Sequence, residues 1–284
     1  MAFMDPVLEP LPPIFTAHLF PKIEGKLIEL LHSLTPRDWD RQTLAPRWKV
    51  KDVAAHLLDT QLRNLDASRR DPTTESPSAI SGAELLTLID SLNAEGIRRY
   101  GQLSPGELIS KLKDAAGEVA EYFQSLDPFA PAMFSVSWAG EEKSLNWFNT
   151  ARELTERWHH QQQIRLAVDK PGIMTHELYH PVLDCFMRAL PYAYRDVTAN
   201  PGVLARFDIS GGCGGSWFLY RHAGAWILNS VPFGKQISRT AIPQEIAWRI
   251  FTKGIARDAA RAQVQVEGDE EIGLHILKMI SIVG

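Results

Sequence analysis

From Asn146 to Asp169 the chain reads NWFNTARELTERWHHQQQIRLAVD, a stretch without proline or glycine that predicts one long helix. Glu156 and His160 lie four residues apart in it, so one helical turn sets both side chains on the same face. Glu153, His159 and Gln163 fall near that stripe. A carboxylate and an imidazole one turn apart suit a divalent metal, one supplying oxygen and the other nitrogen. A catalytic zinc site takes three protein ligands and keeps a position open. The helix offers two, so the third must come from elsewhere in the chain.

The segments before it are also helical. Ile14–Ser33 carries Ile23, Leu27, Leu30 and Leu31 at helical spacing, continued by Leu34 just beyond it, with Pro21 as its start or a kink, and Thr35-Pro36 breaks it. Trp48–Arg69 is a second amphipathic helix, apolar at Val50, Val53, Ala54, Leu57, Leu58 and Leu65. His56 lies inside it beside that face and is the candidate third ligand. Asp59 precedes Arg63 by one turn, which suits an ion pair. After a polar loop at Asp71–Ser81 come helices at Gly82–Tyr100 and Ser104–Leu126. The second opens SPGE, with serine as the cap, proline at the first position and glutamate three residues after the serine. Four long amphipathic helices and one additional helix pack most economically as a bundle, whose core is where metal sites are commonly built.

Asp169-Lys170-Pro171-Gly172 is a strong stop and marks a boundary, with a helical domain over residues 1–172 and a second domain over 173–284. Glu177–Val197 reads as a helix. Beyond Pro201-Gly202 strands are expected at Leu204–Ile209, Trp217–Arg221, Ala225–Asn229, Ile237–Ala241 and Ala262–Val266. Helices follow at Ile242–Lys253 and from Gly268-Asp269 to Ile280. The pattern is α+β: a helical bundle, then a small α+β domain.

With a net charge of −4 and no basic cluster beyond short pairs, a nucleic-acid partner is not expected. No stretch is long and apolar enough to span a bilayer. The proline-rich, acidic start MAFMDPVLEPLPPIF is unlike a signal peptide and reads as an extended arm. Two distant cysteines, Cys185 and Cys213, outside any CxxC, point to a reducing cytoplasm. Nothing in the composition fixes an oligomeric state.

Each candidate has a plainer reading. Glu156 and His160 could lie on a solvated face, and His159, about 100° further round the helix, reads as surface or as a neighbour of the site. GGCGG at Gly211–Gly215 lacks the lysine and hydroxyl of a phosphate loop, so it reads as a turn between strands. Nothing near Cys213 specifies an activated thiol. Trp48, Trp147, Trp158 and Trp248 read as core; Trp138 and Trp217 are candidates to line a cleft. Neither G-x-S-x-G nor H-E-x-x-H occurs.

WKVKDVAAHLL, running from Trp48 through His56, followed about a hundred residues later by ERWHHQQQ from Glu156, resembles the DinB-like metal-binding bundle superfamily. Within it, the chain is most similar to the mycothiol-dependent maleylpyruvate isomerase family. NAEG from Asn93 with LSPGEL from Leu103 fits that family's middle region. IPQEIAWRIFTKG from Ile242, VQVEGD from Val264 and the terminal ILKMISIVG fit its C-terminal domain. The resemblance implies a four-helix bundle holding one divalent metal, usually zinc, through a His-Glu-His set that falls on His56, Glu156 and His160. It also implies a low-molecular-weight thiol as cosubstrate, its identity open. The family usually has aspartate three residues after the second histidine, where this chain has Gln163.

The expected activity is therefore a metal- and thiol-dependent isomerase or S-transferase acting on a small electrophile, with second-domain arginines such as Arg257 as candidate donors to an oxyanion. The alternatives are a non-catalytic metal- or small-molecule-binding protein of the same fold, or a hydrolase using metal-bound water.

Overall fold

Pro21 stands in the first turn of the first helix, where its missing N–H has no intrahelical partner to lose. A computed structural model describes residues 8–69 and 82–282, the side chains of 82–86 excepted. The loop expected at Asp71–Ser81 lies outside the described residues. Helix α1 spans Phe20–His32, shorter than expected because a separate 3-10 turn, Ala17–Leu19, precedes it. It is followed by α2 (Val50–Ser68), α3 (Gly82–Tyr100), α4 (Pro105–Ser125) and α5 (Asn146–Val168). The α4 cap is reciprocal: Glu107 N donates to Ser104 Oγ, and Ser104 N donates to the Glu107 carboxylate at 2.7 Å. Asp169, at φ 54°, turns left-handed and ends α5.

The described chain forms two compact units. Phe15–Ser135 and Lys143–Met174 make the helical one. In it α1, α2, α4 and α5 pack together as a bundle, and α3 lies against α2. Leu27, Leu31, Val53, Leu57, Leu112 and Ile164 are buried at the centre. Each such side chain contributes about 1.5–3 kcal/mol by leaving water.

The other unit comprises the arm up to Ile14, Val136–Glu142 and Thr175–Ile282. The helix expected over Glu177–Val197 is two, α6 (His176–Met187) and α7 (Leu190–Ala193). Pro191 is the cause: its ring would clash with the carbonyl of Met187, where α6 stops. A mixed sheet follows, from β1 (Val203–Ser210), β2 (Gly215–His222), β3 (Ala225–Asn229), β4 (Lys235–Pro243) and β5 (Gln265–Gly268). Its order is β3-β2-β1-β4-β5, with β1 and β4 parallel and the other pairs antiparallel. Between β4 and β5 come α8 (Gln244–Phe251) and α9 (Arg257–Arg261); α10 (Glu270–Leu274) and a 3-10 turn at His275–Lys278 close the chain. The last strand sits about three residues later than expected. Gly268 explains the end of it: at φ 85° it comes so close to Ile237 that a Cβ would lie 2.2 Å from that carbonyl oxygen. The architecture is α+β. Among the described residues no helix is long and apolar enough to cross a membrane.

Candidate metal centre

Two helices carry the site. In α2 the apolar face packs Val53, Leu57 and Leu58 into the bundle, and His56 goes in with them, 4% exposed. The start of α2 is fixed by Asp52, whose carboxylate accepts the Lys49 N–H at 2.8 Å. Just before it, the Trp48 carbonyl accepts from Thr43 Oγ1 at 2.7 Å and Gln42 Nε2 at 2.9 Å. Trp48 is thereby held over the first turns of α2, its ring centroid 4.8 Å from that of His56 and 5.7 Å from that of His160.

From α5 come Glu156 and His160. The three residues His56, Glu156 and His160 each offer one ligand atom, all within 4.8 Å of one another. Glu156 Oε2 lies 3.5 Å from His160 Nε2, long for a hydrogen bond. The His56 and His160 rings meet edge to face at 4.6 Å. On its other side His160 Nδ1 lies 3.0 Å from Gln163 Oε1. With that carbonyl oxygen as acceptor, Nδ1 carries the proton and Nε2 is left as a lone pair beside Glu156.

The protonation states fit a cation. Burial pushes the His56 imidazolium well below its usual range, and His160 adds to this. Burial alone would raise the Glu156 carboxyl, but the contact with His160 and its electrostatic attraction to His159, His160 and the Arg152 guanidinium hold it well below the usual carboxylate range. At neutral pH the pocket thus holds a carboxylate beside a neutral His56, the forms that ligate a divalent metal. The buried Nδ1 of His56 has no hydrogen-bond partner among the described residues.

His159 is not at the surface. It is 2% exposed, its ring 3.9 Å from that of His160, and its Nδ1 lies 2.9 Å from the Thr155 carbonyl. Burial, then the His160 charge, lowers its pKa to about 4.

One turn before Glu156, Glu153 enters a buried polar network unforeseen from the sequence. Arg157 Nη1 donates to Glu153 at 2.8 Å and Arg157 Nε to Glu24 on α1 at 2.9 Å. Gln61 donates to Glu24 at 2.7 Å, and Asn64 to Glu153 at 2.8 Å. The Arg157 guanidinium lies over Phe20 and Phe123 at 5.2 and 5.7 Å. Burial raises the Glu24 carboxyl against the pull of Arg157; at Glu153, burial is outweighed by Arg152 and Arg157, and the carboxyl titrates low. The network ties α1 and α2 to the helix that bears Glu156 and His160.

Other expectations shift. Trp158 and Trp248 are core, but Trp48 and Trp147 are only half-buried. Trp138 and Trp217 are 8% and 3% exposed, both in the unit that holds the sheet. Trp217 belongs to the inward face of β2 and donates from Nε1 to Asp184 at 2.8 Å. Cys213 is buried, and burial and Glu245 push its thiol up, so it is no thiolate. Asp59 does pair with Arg63, at 2.8 Å. Arg257 opens α9 in the unit that holds the sheet, and is exposed. The signal for Trp48 was in its spacing: it stands eight residues before His56, just ahead of the α2 cap, where a side chain lies over the first turns of the helix.

The model of the mycothiol maleylpyruvate isomerase N-terminal domain matches residues 20–165 of the chain. Among solved structures, the crystal structure of the mycothiol-dependent maleylpyruvate isomerase is similar at 11% identity with a TM-score of 0.45, covering 82% of this chain and 86% of that one. A histidine-to-alanine mutant of it matches at 12% identity and the same TM-score, over 89% and 92% of the two chains. No curated protein matches the chain in sequence.

Proposed function

The chain belongs to the mycothiol maleylpyruvate isomerase family, and from that premise we propose that it joins a low-molecular-weight thiol to a small electrophile at a divalent metal, isomerising an activated cis alkene such as maleylpyruvate. The observation that carries this reading is the convergence of His56, Glu156 and His160 within 4.8 Å in the bundle core. These three would hold the cation, zinc by the chemistry of two imidazoles and one carboxylate. Bound there, it would supply the charge that makes a thiol a thiolate at neutral pH.

The chain's own residues do the rest. Gln163 fixes the tautomer and aim of His160. Trp48 packs against two of the three ligands and keeps water from that side, which strengthens every charge interaction within. Glu156 stays ionised and His56 neutral, so neither competes for a proton released by the thiol. The sulfur bonds to the alkene carbon while the π pair moves onto the conjugated carbonyl oxygen. Rotation about the resulting single bond, then collapse of the enolate, expels the thiolate and leaves the trans isomer. The thiol is regenerated and no redox partner is consumed. A cytoplasmic setting, reducing enough for the free Cys185 and Cys213, belongs to the same reading.

The test joins metal analysis to turnover. The purified protein should carry about one divalent ion per chain, lost in His56→Ala and in His160→Ala. It should isomerise maleylpyruvate only with mycothiol or another small thiol added. Full metal occupancy in both variants overturns the ligand assignment. Metal-dependent turnover without thiol points instead to bound water as the nucleophile.

A further inference from the structure

The glycine loop Gly211–Gly215 holds a histidine. His180, on α6, places its Nδ1 at 3.2 Å from the Cys213 carbonyl and 3.1 Å from the Gly214 carbonyl. Only an N–H satisfies two carbonyl oxygens, so Nδ1 carries a proton, and in the neutral ring Nε2 keeps a lone pair. A Cβ on Gly215 would lie 3.1 Å from His180 Cε1, a tight contact that shows how closely the loop backbone lies against the ring. Trp217 stacks on the imidazole at 6.0 Å and is itself anchored to Asp184. The ring is therefore fixed from the loop side and by the indole. One turn earlier on the same helix, His176 is exposed, and its ring lies parallel to that of His180 at 4.7 Å.

We propose that His176 and His180 form a second metal site, a two-histidine chelate for a borderline divalent cation such as Cu2+, with water completing the coordination. Histidines at i and i+4 share one helix face, and imidazole favours such ions, copper(II) most strongly. A backbone carbonyl on the far nitrogen is the partner that metal-bound histidines usually have, and His180 has two. Binding requires only the exposed His176 ring to tilt out of the stack, since His180 is already in place. Asp184, the next residue along the stripe, has its oxygens taken by Trp217 and Arg188, so it is no third ligand.

The experiment titrates the full chain, stripped of metal, with Cu2+ alone, in a His160→Ala background that disables the bundle centre. Binding should persist there at about one ion per chain and should quench Trp217 fluorescence, because the indole lies against a ligand ring. Adding His176→Ala, a surface change that leaves the fold intact, should weaken binding at least ~10-fold, and Trp217→Phe should remove most of the quench. Unchanged affinity in the His176→Ala chain, or quenching that survives Trp217→Phe, overturns the proposal. Neither result bears on the bundle centre, whose failure would show as metal retained by His56→Ala and His160→Ala chains that also carry His176→Ala.

Discussion

Gln163 Oε1 accepts a hydrogen bond from His160 Nδ1 at 3.0 Å, one turn along the same helix. Where relatives are expected to place a carboxylate, this chain supports the imidazole with a neutral amide. The aim of the ring is preserved, but the amide adds no negative charge to make Nε2 more basic. Gln163→Leu should therefore weaken zinc binding by about 10–100-fold, while Gln163→Asp should bind at least as tightly as the parent. Competition against a chromophoric chelator reads both. A leucine variant within twofold of the parent would mean that packing alone orients His160.

Gly96 of α3 faces Asp59 of α2 at a distance that leaves no room for a methyl group. A Cβ there would lie 2.2 Å from Asp59 Cγ, and Asp59 is already held by Arg63 at 2.8 Å. Gly96→Ala sets a helix-propensity gain of about 1 kcal/mol against that clash. The clash wins, because both helices must separate or the ion pair must break. A net loss of about 1–3 kcal/mol in urea unfolding is expected. A stabilised variant would show that α3 is free to shift on α2.

Arg157 joins two acids that are buried with it. Removing it as Arg157→Met keeps much of the apolar stem over Phe20 and Phe123 but leaves Glu24 and Glu153 without their shared cation. Breaking a buried ion network from one side costs about 3–5 kcal/mol. Adding Glu24→Gln should recover part of that loss, because the neutral amide no longer needs the guanidinium. Independent, additive effects of the two changes would argue against the coupling.

How much of this was readable in the chain depends on how far apart the partners lie. Glu156 and His160 share a face by helical spacing alone, and His56 stands beside an apolar stripe, so their meeting in the bundle could be anticipated. Glu24 and Arg157 are 133 residues apart, and no local pattern marks a buried charge that is paired only in three dimensions. For His159 the sequence left two readings, surface or neighbour of the site, and it is the neighbour. Its angle round the helix is right, but α5 is buried on most sides, so a residue off the stripe still faces protein. The break between α6 and α7 is written in Pro191, which the reading of Glu177–Val197 as one helix passes over. Trp48 counted as core because an aromatic at helical spacing usually is, whereas here it lies over the site.

Acid should destabilise the metal-free protein well before its carboxylates titrate. His159 has a folded pKa of about 4 against an ordinary 6.5, so between those values the unfolded chain binds a proton that the folded chain refuses. Stability fully present above pH 6.5 is therefore lost as the pH falls toward 4, by roughly 3 kcal/mol from this residue. Buried His56, also depressed, acts in the same direction. Glu153, depressed, adds a loss below the usual carboxylate value, while Glu24, raised by burial, takes up its proton above that value in the folded chain and so offsets part of the histidine loss. Urea midpoints of the stripped protein should fall between about pH 6.5 and pH 4, and His159→Gln should flatten that fall. With zinc bound the decline should begin at lower pH, since protons must then displace the cation from His56 and His160. A flat profile in the stripped protein would mean that water already reaches these rings.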